Sequence, residues 1–374
     1  MLRQPDTVGP PSSPALGDRF HLWVDFIRDV SILLVILGHV SAVPMIHTRV
    51  TSPDWMVGNV YNVIARACVP MIFMISGALL LPKQESILDF YRKRFQRVFI
   101  PFVFWSVLYL LIAKSIPFDS VPSAFLSIVR DLVTRPAEYH LWFMYDLFWI
   151  YLATPILRVF VASAKREHLW YFMALWFIFV PLRSALEYRA GFEFIAGPSF
   201  PVGFLGYFVL GYILASTTVT TRQVWGAVVV YLFAAVYTIL STQTASLLAK
   251  GMDGYHQTLT NWNIVALSIS GFVLLKTLGE WIGSRGDSKL RNGIHRLAPF
   301  TFGIYLIHVF VLRFLNRPFL LTFNGFIKLP PRFSFSPLME PTVVVIPALT
   351  LTVFLISWLV IFLLRKIPCL RIIT

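Results

Sequence analysis

The sequence predicts an all-α, polytopic membrane protein of about ten transmembrane helices with both termini cytoplasmic. Three observations carry that expectation. Hydrophobic residues make up 57% of the 374 and charged residues only 13%, a balance that a water-soluble globule does not sustain. The apolar residues gather into runs of roughly 20, the length that crosses the hydrocarbon of a bilayer. Finally, the basic residues behind the net charge of +14 lie mostly between those runs, as topology signals do. In that setting the charge argues for a lipid bilayer as partner and against nucleic acid.

The elements follow in order. Residues 1–20 are rich in Pro, Gly and Ser and are expected to form a disordered tail. The first apolar run, 22–44, carries Asp25, Arg28 and Asp29 near its start and is longer than the apolar core of a signal peptide, so it reads as a span. Further spans are expected at 57–81, 98–116, 139–160, 169–186, 200–215, 223–241, 262–279, 299–316 and 342–364, the sixth being the shortest. Connections are short apart from those around 117–138, 242–261 and 317–341. Internal repeats are lacking, so the chain divides into the tail, one integral membrane domain over 21–365 and a short cytoplasmic tail over 366–374. With the N-terminus inside, Lys and Arg concentrate on the inner segments, most densely in KQESILDFYRKRFQR between the second and third spans. An even number of spans then returns the C-terminus to the same side.

Two cysteines, Cys68 in an apolar run and Cys369 near the end, are too few for a disulfide framework and lack metal-ligand spacing. Neither a metal nor a permanently bound cofactor is expected.

Polar residues inside the spans carry the functional signal, because ionisable groups in hydrocarbon are costly. In the first span, WVDFIRDVSILLVILGHVSAVPM, Arg28 and His39 fall within roughly 20° of one face and about 16 Å apart in depth. Asp25 shares that stripe. A histidine in the outer half of a helix, aligned with a cation at the inner mouth, suggests a base in a polar channel open to an anionic ligand. The plainer reading, a positive-inside anchor, is the better one for Arg28 taken alone. Arg66 in the second span must pair or line a cavity. In VPMIFMISG, Ser76 and Gly77 read first as small residues for close packing. The fourth span opens with EYHLWFMYD, which places Glu138 and His140 at the outer interface and Asp146 deeper, with Tyr139 and Trp142 as aromatic-belt residues. His308, in FTFGIYLIHVF, reads either as a packing histidine or as a second catalytic or substrate-orienting group. In RKRFQRVFIP, Arg94 and Arg97 are spaced to share a helical face and suit phosphate contacts, although ordinary anchoring explains them as simply.

Taken together, Arg28-x10-His39, VPMIFMISG, RFQRVFIP, HLWF and GIYLIH occur in an order and topology that resemble the membrane-bound acyltransferase family 3, from about residue 20 to 364. Within it the chain is most similar to short, single-domain bacterial O-acetyltransferases of the kind that acetylates enterobacterial common antigen. The resemblance implies transfer of an acyl group, usually acetyl, from cytoplasmic acetyl-CoA or another acyl-CoA to a hydroxyl of a cell-surface or lipid-linked carbohydrate, at the cell inner membrane. By the same resemblance, His39 matches the essential histidine, Arg28 the basic residue of the R/K-x10-H motif, and Arg94 and Arg97 the RxxR pair. Ser76 falls in the SG phrase. The chemistry is compatible: an imidazole of ordinary pKa about 6.5 can take the proton of an attacking sugar hydroxyl, or be acylated first and hand the group on. Arg66 and His308 are candidate oxyanion donors. The rival reading is a transporter or flippase for a glycan or anionic solute, against which stand the missing repeat and the lack of paired, Gly/Pro-broken helices. Oligomeric state leaves no trace in the sequence.

Overall fold

The computed structural model describes residues 17–113, 121–191, 202–316 and 341–374. Those residues are mostly helical, with no strand among them, and nine of their helical segments are long and apolar enough to cross a membrane. The expected sixth span is the exception: α10 (Val202–Ala215) is apolar, yet its described part is shorter than the other nine. Of the expected tail, residues 1–16 lie outside the described residues, as do 317–340 of the last long loop, and helix begins at Gly17.

The chain divides into two compact units. The first holds Met1–Lys83, Ile150–Pro299 and Pro337–Thr350, the second Gln84–Trp149, Phe300–Ser336 and Leu351–Thr374.

In the first unit, α1 (Gly17–His47) packs along α2 (Pro53–Ala65), α3 (Cys68–Leu80) and α12 (Trp262–Arg285). Ser52 caps α2 by accepting from the Trp55 N–H at 3.1 Å, and Pro53 occupies the first turn, where its missing N–H does no harm. The α2–α3 span is the most enclosed, with 67% of its apolar window buried. Glycine makes that possible. A Cβ on Gly77 of α3 would lie 1.7 Å from the Phe208 carbonyl oxygen of α10, and one on Gly211 would lie 1.9 Å from the Met74 oxygen. Each glycine therefore seats the other helix's backbone, the close approach that holds helices together where lipid removes the hydrophobic drive. Between α10 and α11 (Thr221–Leu248), the buried Lys276 of α12 donates to the Leu214 and Thr217 carbonyls at 2.8 and 2.6 Å, satisfying the end of α10. Opposite in character, α11 has only 17% of its window buried, and Trp225, Val229, Leu232, Phe233, Val236 and Leu240 form its exposed face. Those side chains face lipid rather than water.

The second unit contains α4 (Ile87–Arg94), α5 (Ile100–Ala113), α6 (Val121–Thr134) and α14 (Thr301–Asn316). A π turn over Phe95–Phe99 joins α4 to α5, immediately before Pro101, whose ring and absent N–H remove a rung from the helix. The third span consequently starts at Ile87, earlier than the expected 98. Helix α6 occupies most of the expected 117–138 loop. Its polar, Ser- and Arg-bearing sequence hid a strongly amphipathic pattern behind an unremarkable mean hydropathy.

Candidate active site

In the first unit the site is built on α1, α2 and the turn before α12. Helix α1 runs unbroken from Gly17 to His47, so Arg28 and His39 share one rigid element, about 16 Å apart along its axis. Asp25 accepts from Arg28 at 3.0 Å and meets His295 Nδ1, from α13 (Ser288–Leu297), at 2.8 Å. Beside them Asp29 is buried, and both its carboxylate oxygens lack a hydrogen-bond partner among the described residues. His39 is half-buried. One turn of α1 around it is fixed by Asn62, whose amide donates to the Gly38 carbonyl at 2.8 Å and to Ser41 Oγ at 3.2 Å.

A chain of side-chain amides runs on from there. Asn59 donates to the Ile239 carbonyl at 2.9 Å and accepts from Gln257 Nε2 at 2.9 Å, and Gln257 Oε1 accepts from Arg66 at 2.8 Å. Asn59, Asn62 and Arg66 recur at helical spacing on one face of the second span, a signal present in NVYNVIAR that the two asparagines' neutrality made easy to pass over. Gln257 and His295 carry no local signal, since their partners are far along the chain. Ser76 spends its hydroxyl on the Ile72 carbonyl of its own helix at 2.8 Å, and the neighbouring Gly77 accounts for the SG phrase as a packing device.

The second unit gathers a different set. His140 and His308 are both buried, with ring centroids 4.9 Å apart at 77°. Tyr305 donates to the His140 carbonyl at 2.6 Å, and His308 Nδ1 lies 2.7 Å from the Tyr305 carbonyl. Tyr109, from α5, packs edge-on to His140 and donates to the Leu306 carbonyl. Glu138, just before the span, pairs with Arg313 at 2.8 Å. Its carboxyl stands above the usual value because burial disfavours the charge more than Arg313 restores it. Asp146 is fully buried with neither oxygen hydrogen-bonded among the described residues, the mark of a group held for a purpose inside a span. Of the arginine pair, Arg94 is only 13% exposed and is engaged by Glu85 at 3.1 Å and by the Phe90 ring at 4.2 Å. Arg97 sits in the π turn and is exposed.

An apolar cleft of about 480 Å³ between α10, α11 and α12 is lined by residues such as Leu214, Val230 and Val265, and contains none of these groups. Among the described residues no cluster of His, Cys, Asp and Glu is placed to hold a metal. Cys68 is buried and Cys369 exposed, and both are free thiols.

A many-spanning, all-α chain with histidines and carboxylates buried within its helices is of the class of multi-pass membrane proteins. A model of the acyltransferase 3 family, described as an acyltransferase domain, matches residues 21–362. The chain belongs to that family and is an acyltransferase of the kind that transfers groups other than aminoacyl groups. No curated protein and no solved structure matches it.

Proposed function

We propose that this acyltransferase moves an acyl group, acetyl in the first instance, from cytoplasmic acyl-CoA to a hydroxyl of a cell-surface or lipid-linked carbohydrate, at the cell inner membrane. The observation that carries the reading is the placement of Arg28 and His39 on one unbroken span within a chain matched over 21–362 by the family. In this reading His39 is the general base, and Arg28, Arg94 and Arg97 contact anionic parts of the donor. Asp25, which holds Arg28 at 3.0 Å, sets that side chain's direction. His140, Asp146 and His308, in the second unit, are candidates for contacting substrate, and the activity is of the kind that O-acetyltransferases of surface antigens perform.

The chemistry asks little beyond positioning. A sugar hydroxyl is too weak an acid to attack a thioester unaided, and a base that accepts its proton in the transition state contributes about a hundred- to ten-thousand-fold. An imidazole is the side chain best matched to that task near neutral pH. Binding the nucleotide through guanidiniums uses charge-assisted, bidentate hydrogen bonds to phosphate.

Purified protein incubated with acetyl-labelled acetyl-CoA and a polyprenyl-linked oligosaccharide tests this. Label is expected on the oligosaccharide. Label that stays on CoA, with the oligosaccharide crossing a vesicle membrane instead, would identify a carrier and refute the reading.

A further inference from the structure

The second span is not one continuous helix. It breaks at Arg66 and Ala67, because Pro70 has no N–H to give the Arg66 carbonyl, and helix resumes at Cys68. Arg66 stands at that break. Its Nη2 donates to the neutral Gln257 at 2.8 Å, while its Nε is buried and has no partner among the described residues. No carboxylate pairs with it among those residues. Arginine stays protonated in proteins, so the second span holds a positive charge answered only by an amide oxygen. Such a charge is unfavourable until an anion or a developing negative charge meets it.

Its level in the molecule is fixed by packing. The Cβ of Ala65 lies 3.4 Å from where a Cβ on Gly38 would stand. Arg66 and His39 are each the next residue along, on the two helices, α1 and α2, that meet at this contact. The first turn of α3, opening at Cys68, adds the partial positive charge of a helix start.

We propose that Arg66 is a catalytic residue of the acyl transfer, donating its Nε–H to the oxyanion that forms on the thioester carbonyl; this rests on the reading of His39 as base. In the step, the acceptor hydroxyl oxygen bonds to the carbonyl carbon and its proton passes to His39. The carbonyl π pair moves onto oxygen, where Arg66 meets it. Collapse restores the C=O bond and breaks the carbon–sulfur bond, and the CoA thiolate that leaves takes the proton back from the imidazolium. Gln257, through its 2.8 Å contact, is a positioning residue for the guanidinium.

Steady-state transfer from acetyl-CoA by the purified full chain tests the assignment. Arg66→Met should lower kcat by about a hundred- to a thousandfold, with KM for acetyl-CoA unchanged. Arg66→Lys should recover at least about tenfold of that loss, because it returns the cation. Gln257→Glu keeps the contact to Arg66 but answers its charge with a carboxylate, so kcat should fall by about a hundredfold; it also removes the Nε2–H that Asn59 accepts, so Gln257→Met, which removes that donor without adding charge, is the control and should cost less than about tenfold. A purely structural Arg66 would leave kcat alike in the two variants. Retention of kcat within about threefold in Gln257→Glu, or equal rates for Arg66→Lys and Arg66→Met, overturns the proposal. His39→Ala separates the two ideas: activity that survives it defeats the base assignment, whereas loss there with Gln257→Glu still active defeats Arg66 alone.

Discussion

Single side chains decide how this protein handles charge in hydrocarbon, and they divide into those already answered and those still waiting. Arg94 is answered by Glu85 and the Phe90 ring, whereas Arg97 is exposed. Replacing Arg97 with Ala should therefore raise the acetyl-CoA KM by about ten- to a hundredfold, the worth of one charge-assisted hydrogen bond, and leave the melting temperature alone. Arg94→Ala should lower the melting temperature as well, and a variant pair that behaves identically in both measurements contradicts this division. Glu138 makes a case in pH. Its carboxyl titrates above the usual 4.5 because burial outweighs Arg313, so the folded state holds the proton more tightly than the unfolded chain. Stability from this group is present below pH of about 4.5 and is lost as pH rises through the higher folded value. Melting temperature followed upward from pH 4 should fall more in wild type than in Glu138→Gln; parallel curves would contradict it. The candidates His39, Arg66, His140 and His308 were legible in the sequence because each breaks an apolar run. Asn59, Asn62, Gln257 and His295 were not, since neutral amides and a surface histidine break no pattern and their partners lie far along the chain.

At the scale of helices, the close crossing of α3 and α10 rests on two glycines facing each other's backbone. A methyl group at either position has no flexible neighbour to displace, so Gly77→Ala and Gly211→Ala should each destabilise by roughly 1–3 kcal/mol, the range for forced overpacking. Gly226, with nothing within 4 Å of its would-be Cβ in the exposed α11, is the control: Gly226→Ala should be neutral or stabilising by up to about 1 kcal/mol. Thermal unfolding in detergent measures all three, and an unaffected Gly77→Ala would show that the crossing yields. Spans were readable from hydropathy because each is a run of one chemistry. Boundaries were not, as the third span shows: its start lies in amphipathic α4, which joins α5 through a π turn that only Pro101 foreshadows. The break at Arg66 was hidden for a similar reason, since a proline four residues after an arginine reads as an ordinary apolar stretch until the hydrogen-bond ladder is traced.

For the whole molecule, the parity of spans sets the side on which each terminus lies. The nine long spans among the described residues would alone place the ends on opposite faces, and α10, counted as a tenth crossing, would return them to one. The distribution of Lys and Arg favours both inside; a reporter fused after Thr374 should be fluorescent as a cytoplasmic fusion and silent as a phosphatase, and the reverse pattern would remove α10 from the crossings. Family membership and the many spans follow from the order of five short motifs and from hydropathy, whereas the acceptor sugar has no signature in either. Acyl transfer here depends, in the proposed function, on an imidazole within the first span doing acid–base work on a thioester. Label transfer from acetyl-CoA to glycan, measured for wild type and His39→Ala reconstituted at equal amounts in vesicles, addresses this most directly. Loss of the rate by about a hundredfold or more in His39→Ala, with the protein still folded and inserted, is the predicted result; a His39→Ala protein that acetylates at the wild-type rate would contradict it.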